Sequence, residues 1–160
     1  AAFDLPEGFD AAICLCEGAF GLLGGGDDAV GQPLAILRNM ARALRPGAGC
    51  LLTVLNGYRM IRQGTAPDED SGLLDPLTLV RSTAIQVPGT TRRVVLRERG
   101  FVPTELVALA ALAGLEVVGV WGGTAGNWGR RTIDMDEMEL MILARKPSAT
   151  SMAAEPRMPA

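Results

Sequence analysis

Apolar residues in this chain come in short dense blocks separated by glycine-rich turns. Phe9 to Cys16 (FDAAICLC) is apolar without alternation, which predicts a strand covered on both faces, as in a parallel sheet. A glycine-rich turn follows. Asp27 and Asp28 are N-cap candidates for a helix to about Leu44, in which Leu34, Leu37, Met40, Ala41 and Leu44 fall on one face at three- and four-residue spacing. Arg38, Arg42 and Arg45 suit its C-terminal end, and Arg45-Pro46-Gly47 stops it. Cys50 to Leu55 (CLLTVL) is a second buried-type strand ending at Asn56. Strand, helix, strand in this order predicts a right-handed crossover with parallel strands, hence an α/β fold.

Gly57 to about Ser71 is polar and irregular, after which Leu77 to Val87 and Thr91 to Arg99 predict two paired strands around a Pro88-Gly89 turn. Pro103 opens a second helix with Leu106, Leu109, Ala110 and Ala113 on one face and Gly114 at its C-cap. Leu115 to Trp121 predicts the next strand, Gly122 to Gly129 a glycine-rich loop, and about Glu137 to Ala144 a last strand. Beyond Pro147 the residues are small, polar and proline-containing, with too little apolar surface to offset their ordering entropy. Residues 147–160 are therefore expected to form a disordered tail.

Composition narrows the function. The 160 residues, 48% of them hydrophobic, suffice for one domain with a real core. The net charge of -3 arises from charges of both signs scattered along the chain, which argues against a nucleic-acid partner. No apolar run reaches the ~18 residues that span a bilayer, and Ala1 to Glu7 lack the features of a signal peptide, so a soluble cytoplasmic protein is expected. With no histidine, neither a Ser-His-Asp nor a Cys-His triad can be built, and a metal site on Cys14, Cys16 and Cys50 would want a fourth ligand. These cysteines read as small apolar core residues, and no metal is expected.

Three segments, in order, carry a resemblance: Phe9 to Cys16; Leu37 to Gly47 (LRNMARALRPG); and Pro103-Thr104-Glu105-Leu106 running on to Ala113-Gly114-Leu115-Glu116-Val117-Val118. Together they resemble the class I, Rossmann-like S-adenosylmethionine-dependent methyltransferases, over Phe9 to Lys146. The second segment is similar to that family's "L-[KR]-P-G-G" turn and the third to its "T-P-x-E-L … A-G-F-x-V" stretch. Val102 stands where a helix-opening Thr is common in the family, and Ala48 where a glycine is. The resemblance implies a partial Rossmann-like sheet, strands four to seven with flanking helices and the last strand antiparallel. Residues 1–146 would be the C-terminal portion of the domain, with about 57–100 as a substrate-side insertion. It implies S-adenosylmethionine as cofactor and a small-molecule methyl acceptor, with transfer by in-line displacement, a step that needs alignment and desolvation more than a side-chain base. The family's glycine-rich donor loop and its ribose-binding acidic residue have no counterpart here. The chain therefore reads as a fragment, inactive alone. The alternative is a noncatalytic Rossmann-like module pairing with another chain.

The candidate sites follow from the carboxyl ends of the strands, where open α/β sheets place their ligand crevice. Cys16, Glu17, Gly18 and Phe20 would form a cofactor wall, with Glu17 the nearest candidate base; the same glycine-rich run is equally a plain flexible turn. Its glycines at 18, 21 and 24 make neither G-x-G-x-x-G nor a P-loop, which removes a nicotinamide enzyme. Asn56, Tyr58 and Arg59 would face the acceptor, or else form a helix cap with a surface arginine. Trp128 and Arg130, within the glycine-rich stretch Trp121 to Arg131, would cap the acceptor or bind its carboxylate; the other reading is a loop packed on its own strand pair.

Overall fold

The computed structural model describes residues 6–16, 19–64 and 73–148. The first apolar block forms β1 (Phe9–Cys14), followed by α1 (Gly31–Ala43) and β2 (Leu44–Leu55). Asp28 opens α1 as expected: its carboxylate accepts the Val30 and Gly31 N–H groups, and its carbonyl accepts Gln32 N–H. Those two main-chain donors hold the Asp28 carboxyl below its usual range. The helix turns Ile36, Leu37, Met40 and Ala41 inward, a face that includes Ile36 beyond the expected set.

Arg45-Pro46-Gly47 was expected to separate α1 from the next strand, but β2 begins before it. Phe9 pairs with Leu44, the chain bulges through residues 45–48, and pairing resumes at Ala11–Gly49. The bulge needs Gly47, whose φ is +81°, and it is held from behind by Gly47 N–H on the Lys146 carbonyl at 2.8 Å. Proline and glycine here bend the chain without ending the ladder.

Past β2 the chain enters α2 (Gly57–Gln63) and a separate antiparallel sheet of β3 (Leu73–Asp75), β4 (Val80–Gln86) and β5 (Arg93–Arg99). The hairpin expected between Leu77 and Arg99 is present, although residues 76–79 are a turn rather than strand. Then come α3 (Pro103–Leu112), β6 (Glu116–Thr124), β7 (Asn127–Arg131) and β8 (Glu139–Arg145). α3 ends at Gly114, φ +79°, with Leu115 N–H on the Ala110 carbonyl and Gly114 N–H on that of Ala111, the paired closure expected of a C-cap glycine. β7 lies where a loop was expected.

The main sheet has the order β1-β2-β8-β6-β7, with β1 and β2 parallel and β8 antiparallel to both β2 and β6. This is a mixed α/β fold. The carboxyl ends of β1, β2 and β6 consequently share one edge. α1 and α3 cover the sheet over a core that includes Cys50, Leu52, Val54, Leu106, Leu140 and Ile142. No described helix is long and apolar enough to cross a membrane. The expected tail lies outside the described residues from 149 onward.

Candidate functional site

The carboxyl edge gathers the chemistry-bearing residues. At the end of β1, Cys16 is exposed and adopts φ +56°, and its N–H donates to Thr53 Oγ1 of the neighbouring strand at 2.8 Å. Glu17 and Gly18 lie outside the described residues. Phe20, expected at a cofactor wall, is instead fully buried and stacked on Phe101, ring centroids 4.8 Å apart, so its ring serves the core. The glycine-rich run is tied down beyond it. Leu23 N–H donates to the Arg97 carbonyl, Arg99 N–H to that of Gly21, and the Arg97 guanidinium to that of Gly24. Gly21 (φ +117°) permits this close approach, because a side chain there would press on the Arg99 carbonyl. The run is thus a strap joining the two sheets.

At the end of β2, Asn56 is fully buried and its amide is fully engaged. Its Oδ1 accepts Tyr58 N–H at 3.1 Å, capping α2, while Nδ2 donates to the carbonyls of Asp134 (2.9 Å) and Glu137 (3.0 Å). This is the cap reading rather than direct acceptor contact. Arg59, three residues on, donates to the Asp136 carbonyl at 3.1 Å.

Arg59 lines a cavity of about 210 Å³ with Asn56 and Met60. Across it stand Arg81 of β4, Glu98 of β5 and Met138 from the segment before β8. Arg81, Glu98 and Met138 were not among the expected site residues. Tyr58 is half-buried.

The β6–β7 hairpin leaves the same edge. Trp128 is 40% exposed and its ring lies over Gly123, where a Cβ would overlap it. Arg130 stacks on Trp121, 5.4 Å from the ring centroid. Arg131 pairs with Glu137. Both Trp128 and Arg130 are therefore engaged within their own strand pair.

Cys14, Cys16 and Cys50 are free thiols, and no group of metal-ligating side chains occurs among the described residues. Cys50 is buried in β2, which pushes its thiol up to about 11, as expected of a core cysteine rather than a nucleophile.

No family model matches the chain, and no curated protein matches it. Solved structures do. The CcbJ methyltransferase from Streptomyces caelestis superposes with a TM-score of 0.67 at 23% identity, over 92% of this chain and 61% of its own. A S-adenosylmethionine-dependent methyltransferase from Clostridium acetobutylicum gives 0.63 at 9% identity, over 92% and 62%. This chain has a methyltransferase fold. The glycopeptide N-methyltransferase MtfA, complexed with sinefungin, superposes at 0.55 and 18% identity, over 92% and 57%. The chain thus spans about three fifths of the length of these methyltransferases, and at such identities the likeness concerns architecture alone.

Proposed function

We propose that this chain is the acceptor-side part of a S-adenosylmethionine-dependent methyltransferase acting on a small molecule. The observation that carries the reading is the sheet: β1 and β2 parallel, β8 antiparallel between β2 and β6, and polar residues gathered at the shared carboxyl edge. In this reading β1, β2, β6 and β8 correspond to the family's strands four to seven, and residues of about 57–100 form a substrate-side insertion. Asn56 and Arg59 line the acceptor cleft, and Tyr58, Trp128 and Arg130 belong to the same carboxyl edge.

The donor side does not fit on this chain alone. Of the residues expected there Cys16 is exposed, Phe20 faces the core, and beyond them Leu23 is bonded to β5. S-adenosylmethionine would supply the methyl group when bound. β1 lies at the edge of its sheet, with Ile13 70% exposed and a groove of about 330 Å³ between β1 and α1, lined by Phe9, Ile13, Ile36 and Met40. A bare apolar strand edge of this kind wants a partner strand and a covering helix. That supports a donor half supplied by further βα units. The same edge also favours the second reading, a noncatalytic module that pairs with another chain.

Calorimetric titration of the 160-residue chain with S-adenosylmethionine is expected to show no binding. A polypeptide extended by ~80–100 residues on the N-terminal side, one or two βα units plus opening helices, is expected to bind it. Micromolar binding by the chain alone would overturn the division of the site. Absence of binding by the extended polypeptide would favour the module.

A further inference from the structure

The chain leaves β1 through a left-handed residue that is not glycine. Cys16 sits at φ +56°, a conformation its side chain disfavours, so the surrounding structure must hold it there. The partner is Thr53. The β1–β2 ladder runs in register to Cys14 opposite Leu52, and continued unchanged it would offer the Cys16 N–H to the main-chain carbonyl of Thr53. The N–H donates instead to the Thr53 hydroxyl, at 2.8 Å.

This change of acceptor redirects the chain. Leu52 and Val54, on either side of Thr53, belong to the core beneath α1 and α3, so the Thr53 side chain projects from the opposite face of the sheet. There it is 2% exposed, opposite Met141 in the β2–β8 ladder. Its hydroxyl draws the Cys16 N–H out of the plane of the sheet. The edge of β2 beyond is already taken. Phe101 forms a parallel bridge with Asn56, its N–H on the Leu55 carbonyl at 2.9 Å and its carbonyl accepting the Gly57 N–H at 2.8 Å. With β8 on the other edge, β1 and Phe101 use the same edge of β2 in succession, and Thr53 stands at the fork between them.

We propose that Thr53 is a positioning residue of the methyl-transfer site, its hydroxyl setting the left-handed turn that presents the exposed end of β1 to the methyl donor. What the turn presents rests on the methyl-transfer reading; how it is held does not. Serine at this position keeps the acceptor, whereas valine keeps the shape and loses it. Sequence inspection passes over Thr53 because CLLTVL reads as a plain buried strand.

The turn is tested on the 160-residue chain by amide hydrogen exchange. The Cys16 amide is expected to be protected in the wild type, to exchange about fivefold faster or more in Thr53→Val, and to stay within about twofold of wild type in Thr53→Ser. The role is tested by calorimetry on the N-terminally extended polypeptide. There Thr53→Val is expected to weaken S-adenosylmethionine about fivefold, the worth of one hydrogen bond, and Thr53→Ser to bind it like the wild type. An unprotected Cys16 amide in the wild type, or unchanged exchange in Thr53→Val, would overturn the turn. Donor affinity equal in wild type and Thr53→Val, or equally weak in both variants, would overturn the role while leaving the methyl-transfer reading in place. A wild-type extended polypeptide that binds no donor would overturn that reading and the role of Thr53 with it, whatever the exchange rates. Should Thr53→Val fail to fold, the wild-type amide still decides the turn, and Thr53→Ala replaces it in the affinity measurement.

Discussion

Replacing Asn56 by alanine removes three hydrogen bonds from a side chain with no solvent exposure. Each is worth about 1 kcal/mol net, and the loss of the α2 cap falls within the same range, so the variant should lose about 2–4 kcal/mol. For a domain of this size that is roughly a 6–12 °C fall in Tm. Asn56→Asp separates the two roles of the amide. Aspartate keeps an acceptor for Tyr58 N–H, yet it sets a carboxylate oxygen against the Asp134 and Glu137 carbonyls. It should therefore destabilise at least as much as alanine at neutral pH. Urea denaturation, with the m-value as a check on two-state behaviour, measures both. Asn56→Ala within ~0.5 kcal/mol of wild type would refute the argument, as would a wild-type Asn56→Asp, which would leave the clamp on residues 134–137 without energetic weight.

Three further outcomes follow from the packing. Between the usual thiol value of 9.0 and the Cys50 value of about 11, the unfolded chain loses this proton and the folded chain keeps it. Stability should therefore fall as pH rises through that window, by at most about 2–3 kcal/mol, and Cys50→Ala should remove this part of the slope; identical alkaline slopes in the two proteins would contradict it. Glu105→Gln leaves the nearly buried Arg99 guanidinium without its carboxylate and should cost about 2–3 kcal/mol in chemical denaturation, less than for a fully buried pair because solvent reaches Glu105. An unchanged midpoint would rule that out. Gly123→Ala should push the Trp128 ring off its strand, seen as a red-shifted emission and easier iodide quenching; an unaltered spectrum would show that the ring is not seated there.

The main sheet was legible because its strands announce themselves. FDAAICLC and CLLTVL are dense apolar blocks, although β1 is a largely exposed edge strand rather than one covered on both faces, and the Asp28 and Gly114 signals at the ends of two helices are local chemistry that needs no tertiary context. β7 was not legible, since it starts inside the glycine-rich stretch Gly122 to Gly129, which reads as loop. Gly123 is glycine because an indole from the next strand occupies the space of its side chain, a cross-strand reason that no single segment reveals. α2 was legible only as the alternative cap reading of Asn56, because it has seven residues and depends on an amide fixed by a segment near residue 137. The site suffered most from register. Strands ending at Val87 and starting at Thr91 would set Arg81 opposite Arg97, whereas the loop closes between Val87 and Arg92 and sets it opposite Glu98.

The joint between the two sheets runs through the peptide backbone. Leu23 bonds to Arg97, Arg99 to Gly21, Phe101 to Leu55 and Gly57 to Phe101, in each case N–H to carbonyl. A seam written in main chain is indifferent to most side-chain exchanges. Positions 81 and 98 can therefore drift in charge and size while the hairpin stays docked, and related proteins could retune what the cavity admits without refolding the scaffold that presents it.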